Sequence, residues 1–195
     1  AITNWQTGTR VYVLRANERY TWGPQLALAV ANRKLFIRGE YGKSYLVPST
    51  LTSDWKARIV GSPKVSGFLR LEAANLVVSL KNLALAPYDA LAEPTNLDNV
   101  NANLLSVQNS GSASLYADSC IFSTYTLVFQ TFGRIYTFRC QNSISVDHGT
   151  QAKNDLGGCR FFDGRQSEID TLDFYNNTIA NVTDRTIRRY NSNFP

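Results

Sequence analysis

The 195-residue chain contains no methionine, one histidine and three cysteines, and only 18% of its residues are charged. Set against 44% hydrophobic and 12% aromatic residues, so little charge excludes a disordered chain and favours a β-rich globular one. No apolar run approaches the roughly 20 residues that a membrane-crossing helix needs, so no membrane span is expected. The chain opens Ala1-Ile2-Thr3-Asn4, and the missing methionine implies that the start residue and any leader were removed. His148 stands alone in a polar stretch and reads as a surface residue; no Ser/His/Asp set can be built around it. Without a CxxC pair or Cys/His spacing, the three cysteines supply neither a zinc site nor a disulfide framework, and free thiols are expected.

What charge there is lies unevenly. Residues 1–99 hold 12 Lys and Arg against 7 Asp and Glu, whereas residues 100–195 hold 8 of each, so the formal excess of +5 belongs to the first half. A basic surface of this kind attracts anions. Aromatic residues do not interleave with basic clusters in any nucleic-acid motif, which leaves acidic polysaccharide as the expected partner and excludes nucleic acid.

Many short apolar runs are present, separated by Gly, Asn, Asp and Ser and lacking helical periodicity. Strands are predicted at Val11–Leu14, Leu26–Leu28, Lys34–Arg38, Ala57–Val60, Phe68–Leu71 and Leu76–Leu80. Six more follow at Leu104–Val107, Leu115–Ala117, Leu127–Phe129, Ile135–Phe138, Leu172–Phe174 and Thr186–Arg188. Such strands are short for a sandwich and suit the faces of a coiled solenoid. The cysteines at 120, 140 and 159 are spaced 20 and 19 residues apart, close to one coil of a single-stranded parallel β-helix. Cys120, Cys140, Cys159 and Asn177 are therefore expected to stack in one column beside a turn, as small buried residues about 4.8 Å apart. The whole chain, 1–195, reads as one domain with loops at about 40–56, 86–101 and 147–158, where function usually sits.

The stretch from Arg10 to Thr21 resembles the opening coil of pectate-lyase-like proteins. Lys34-Leu35-Phe36-Ile37-Arg38-Gly39-Glu40 is similar to one of their strands, and Phe174-Tyr175-Asn176-Asn177-Thr178-Ile179 to their recurrent Asn-Asn-Thr turn. The order of these segments resembles the pectate-lyase-like β-helix domains of the DUF4957 and DUF5123 type, found in secreted or surface proteins of Bacteroidetes. That resemblance implies a right-handed parallel β-helix, an extracellular or cell-surface location and an association with polysaccharide handling, but no particular activity.

A non-catalytic module contacting an anionic, uronate-type glycan is the leading expectation. Its binding candidates are Arg33, Lys34 and Arg38, with the aromatic residues Trp22, Tyr41, Tyr45 and Trp55 (and Trp5) for stacking against sugar rings. A uronate lyase is the alternative, with Arg139, Arg160 or Lys153 removing a proton and Asp147, Asp155 and Asp163 offered to Ca²⁺; otherwise no cofactor is expected. Ordinary charge pairing on a solenoid exterior explains the same arginines and aspartates. A structural fibre, adhesin or scaffold module is the third reading. Signature motifs of polygalacturonases are missing, which weakens hydrolysis. Asn176-Asn177-Thr178 and Asn181-Val182-Thr183 fit the glycosylation pattern but read as structural asparagines. Arg185, Arg188 and Arg189 are expected to decorate an outer face and, with Pro195, to cap the last coil only poorly. End-to-end self-association or a neighbouring domain would follow.

Overall fold

A computed structural model describes residues 8–16, 18–22, 25–40, 57–61, 67–86, 103–123, 125–148, 159–182 and 184–190. Within them the chain forms eighteen strands and no helix, arranged as three six-stranded, all-parallel sheets. Numbered in chain order, the first sheet holds β1 (Thr9–Leu14), β4 (Lys34–Gly39), β7 (Leu76–Lys81), β10 (Ser112–Asp118), β13 (Arg134–Gln141) and β16 (Leu172–Tyr175). The second holds β2 (Arg19–Trp22), β5 (Ala57–Gly61), β8 (Leu83–Ala86), β11 (Ile121–Ser123), β14 (Ile144–His148) and β17 (Thr178–Val182). The third holds β3 (Leu26–Leu28), β6 (Gly67–Leu71), β9 (Asn103–Val107), β12 (Leu127–Thr131), β15 (Arg160–Arg165) and β18 (Arg185–Tyr190). Every third strand returns to the same sheet and pairs with its predecessor there, a β-helix-like architecture.

Parallel in-register pairing lines up equivalent residues in rows, and the inward rows build the core. One row in the first sheet runs Leu35, Val78, Leu115, Phe138, Leu172, and the next Ile37, Leu80, Ala117, Cys140, Phe174. In the third sheet Leu26, Leu69, Leu105, Phe129 and Phe162 form another. Toward the later strands the interior widens into edge-to-face rings, with Phe122, Phe129, Phe138, Phe161, Phe162 and Phe174 at centroid distances of 4.7–6.3 Å. Two inward rows end on charge. Arg10 pairs with Leu35 on the first described coil, and Arg189 pairs with Gly164 on the last, in the row through Leu28, Leu71, Val107 and Thr131.

The corner between the first and second sheets is a tight bend made by one left-handed residue: Asn82, Ser119, Asn142 and Asn176 have φ of 52–54°. Asparagine is the non-glycine residue that best tolerates this region, because its short polar side chain bonds locally. The residue after each bend makes the corner column. Cys120 N–H donates to Ser143 Oγ (3.1 Å), Ser143 N–H to Asn177 Oδ1 (2.9 Å), and Asn177 Nδ2 to the Cys140 carbonyl (2.8 Å).

The predicted cysteine column is thus corrected. Cys120 and Asn177 share the corner with Ser143 between them, whereas Cys140 lies on the inward row of β13 and Cys159 just precedes β15. The coil advance is 23 residues from Leu115 to Phe138 and 34 from Phe138 to Leu172, not 20. All three thiols are buried and free. Burial, followed by weaker effects of Cys120 and Asp118, pushes Cys140 up to about 12, so this thiol stays protonated. Asn177→Ala removes both corner hydrogen bonds at a half-buried site and should cost about 2 kcal/mol, read from the urea midpoint. A loss near zero would mean that water replaces the amide.

Candidate functional site

The outward side of the third sheet carries a polar row: Arg70, Ser106, Gln130, Asp163 and Arg188. Ser106, Gln130 and Asp163 are buried. Buried polar groups persist only when satisfied: Gln130 Oε1 accepts from Asn103 Nδ2 at 3.0 Å, and Ser106 Oγ accepts from Gln108 Nε2 at 3.1 Å.

Asp163 is fully buried and collects arginines. Its oxygens accept from Arg188 Nε (2.6 Å), Arg188 Nη2 (2.9 Å) and Arg165 Nε (2.8 Å), with Arg160 Nη1 at 3.7 Å. Arg160 also contacts Asp184. Burial alone would raise the Asp163 carboxyl, but the hydrogen bonds and charges of Arg188 and Arg165 outweigh it and hold it below its ordinary value. Arg185 also approaches Asp184 at 3.7 Å, so four guanidinium groups meet two carboxylates here.

Two of those arginines reach solvent at a recess of about 270 Å³ lined by Phe132, Arg165, Gln166, Arg188 and Tyr190. The Arg188 guanidinium lies 5.7 Å from the Tyr190 ring centroid, within cation–π range. Gln166 is left-handed, φ 54°, which turns the chain at the recess rim. A second hollow of about 340 Å³, lined by Gln108, Asn109, Ser110 and again Phe132, adjoins it. The corner behind is pressed flat by stacked glycines: a Cβ on Gly133 would lie 2.1 Å from the Gly111 carbonyl oxygen. The recess offers fixed guanidinium donors, aromatic faces and amides. That is equipment for reversible binding of an anion carried on a ring; among the described residues no carboxylate, histidine or thiol lines it.

The residues expected from sequence to form sites lie elsewhere and apart. Arg139, on the outward side of β13, is bonded to Asp173 (3.1 and 2.9 Å), whereas Arg160 is buried on the third sheet, so the two do not flank a common column. Asp147 is an exposed left-handed residue of β14 that accepts from Asn181 Nδ2 at 2.9 Å; Asp163 is committed to arginines on another sheet. Among the described residues no group of three or more acidic, His or Cys side chains is placed to hold a metal ion. Lys153, Asp155, Trp5, Tyr41, Tyr45 and Trp55 lie outside the described residues, and of Trp22 only its place in β2 is described. Lys34 and Arg38 are exposed on β4, but Arg33 is buried at 8% exposure and is not a surface cation.

His148 is corrected as well. It ends β14 in the interior, with Nδ1 3.2 Å from the Tyr125 carbonyl and Nε2 2.6 Å from Ser145 Oγ. A carbonyl only accepts, so Nδ1 carries the hydrogen and the Ser145 hydroxyl donates to Nε2. Arg188, expected to be decoration, grips Asp163. Residue type gave no signal for the recess, because Phe132, Arg165 and Arg188 meet only through the strand register. No protein family, no curated protein and no solved structure matches this chain.

Proposed function

We propose that this protein is a non-catalytic, extracellular or cell-surface module that holds an anionic, uronate-type glycan, on a right-handed β-helix of the pectate-lyase-like kind. The observation that carries the reading is the pair Arg165 and Arg188, both fixed on the buried Asp163 and both opening into the recess beside Tyr190 and Phe132. A guanidinium already locked by a buried carboxylate loses little rotamer freedom on meeting a ligand, which favours binding. Flat rings beside it suit the apolar face of a pyranose. No specific observation favours the lyase alternative, since Arg139 and Arg160 are held by aspartates.

The test is calorimetric titration with di- and trigalacturonate and their methyl esters. Binding of the acid forms is expected, weakening as salt rises past about 0.15 M, where the Debye length falls to about 8 Å. Arg165→Gln should cost about tenfold in affinity, the scale of one charge-assisted hydrogen bond. Equal binding of acid and ester, or an Arg165→Gln protein that binds as the parent does, would overturn the recess reading.

A further inference from the structure

β1 ends the first sheet: it pairs with β4 on one side, and no described strand lies along the other. Two backbone bonds fix which of its groups face that open side. Lys34 N–H donates to the Gly8 carbonyl (3.2 Å) and Glu40 N–H to the Leu14 carbonyl (2.7 Å). In a parallel pair the main chain of alternate residues bonds to alternate sides. Arg10, Tyr12 and Leu14 therefore turn their N–H and C=O groups toward β4, and Thr9, Val11 and Val13 turn theirs to the edge. A row of donors and acceptors stands there, which is the template that a further strand reads.

The side chains along this edge are open on both faces. Val11 and Val13 are 54% and 53% exposed on the outer one. On the inner one Tyr12 and Leu14 pack against the core yet stay only half-buried, and Arg10 is exposed. Charge here is of one sign. β1 and β4 carry Arg10, Lys34 and Arg38 and no acidic residue, and none of the three cations has an ion-pair partner among the described residues.

We infer that this edge is a docking site for an extended acidic segment of a partner protein, which adds to the first sheet as a further parallel strand. Its inward residues meet Arg10, Tyr12 and Leu14 in order. The segment that fits therefore carries a carboxylate over Arg10, apolar side chains over Tyr12 and Leu14, and β-branched residues over Val11 and Val13. The carboxylate meets a cation whose own row continues in hydrocarbon, Leu35 and then Val78, and the apolar residues cover what β1 leaves open. A second copy of this chain does not fit: continued in register, β16 would set Leu172 over Arg10 and Asp173 over Val11. None of the recess residues takes part in the site, and it needs no glycan.

The probe is the end-capped, fluorescently labelled peptide Thr-Glu-Val-Ile-Thr-Leu, whose residues fall in order over those from Thr9 to Leu14, titrated by anisotropy with the intact chain up to about 1 mM. Saturable binding is expected. Lysine in place of the peptide's glutamate should weaken it about tenfold, the scale of one charge-assisted contact, and Arg10→Glu should invert that preference. Backbone pairing is read by N-methylation. The isoleucine N–H points at the Val11 carbonyl, so its methylation should abolish binding, whereas the N–H of the second threonine points away from β1 and its methylation should change little. The peptide of reversed sequence should bind about tenfold more weakly. These peptide comparisons use the parent protein and do not depend on how a variant folds. Equal binding of the two methylated peptides, a reversed peptide that binds as well, or a glutamate preference that survives Arg10→Glu overturns the proposal. So does absence of binding. Arg165→Gln should leave the affinity unchanged; a loss there would assign the peptide to the recess and overturn the edge site.

Discussion

Replacing Asp163 with alanine should lower the stability of the fold by about 3–5 kcal/mol, the usual penalty for removing one partner of a buried charge cluster. Arg160 is 3% exposed and Arg188 18% exposed, so Arg160 lies away from water and Arg188 meets it only at the recess when the carboxylate goes. Arg160 keeps Asp184, but Arg188 Nε and Nη2 both lose their acceptor. Asp163→Asn preserves the shape and one acceptor oxygen while deleting the charge, and should fall between parent and alanine variant. Arg165→Gln should cost under about 1 kcal/mol, because Arg165 is 37% exposed and water can replace its single bond. Urea unfolding of the three variants checks the order. An alanine variant as stable as Arg165→Gln would show that the cluster does not depend on Asp163.

Acid should begin to weaken the protein as soon as pH falls through the ordinary histidine value. Burial depresses His148 from 6.5 to about 4, against weaker opposing effects of the Tyr125 carbonyl and Asp147. The unfolded chain therefore takes up a proton at a pH where the folded chain refuses it. Stability from this residue is complete above pH 6.5, declines as pH falls toward 4, and is spent below that, a total of about 3 kcal/mol at 1.36 kcal/mol per unit. His148 is the only histidine, so no other side chain has its ordinary value between about pH 5 and 6.5. Asp118 and Asp163, both held below 3.8, act at lower pH. Urea midpoints measured from pH 7.5 to 5 should slope for the parent and be flat for His148→Gln. A parent curve that is level across the window would mean that the imidazole reaches water.

Twelve of the eighteen strands were legible in the sequence, and most of the six that were not lie in one sheet. Five of them, β2, β8, β11, β14 and β17, belong to the second sheet. After β7, β10, β13 and β16 the chain bends on one left-handed residue, so composition shows no loop between first-sheet and second-sheet strands. The sixth, β15, hides because Arg160, Asp163 and Arg165 break its apolar pattern to build the arginine cluster.

The repeat length was misread because a corner selects for a hydrogen-bonding role. Cys120, Ser143 and Asn177 occupy one column with three different side chains, and Cys140 happens to fall 20 residues after Cys120. The recess was illegible for a related reason. Its lining is gathered from the ends of β12, β15 and β18, which are 25 or more residues apart, and only the pairing register brings Asp163 beside Arg188. Lys34 and Arg38, by contrast, were readable as exposed cations because strand alternation alone puts them outside.

Arg10 and Arg189 bear on how such a ladder avoids becoming a fibre. A stack of parallel strands is its own template: each layer presents the next with a complete set of amide donors, carbonyl acceptors and apolar ridges, the same grammar that lets amyloid propagate. Continuing this stack with another copy would lower Leu172 onto Arg10 and Arg189 onto Leu28, pressing two guanidinium groups against hydrocarbon. The charges act as punctuation. They leave every interior layer undisturbed, and on the outermost described layers they make a further apolar layer costly.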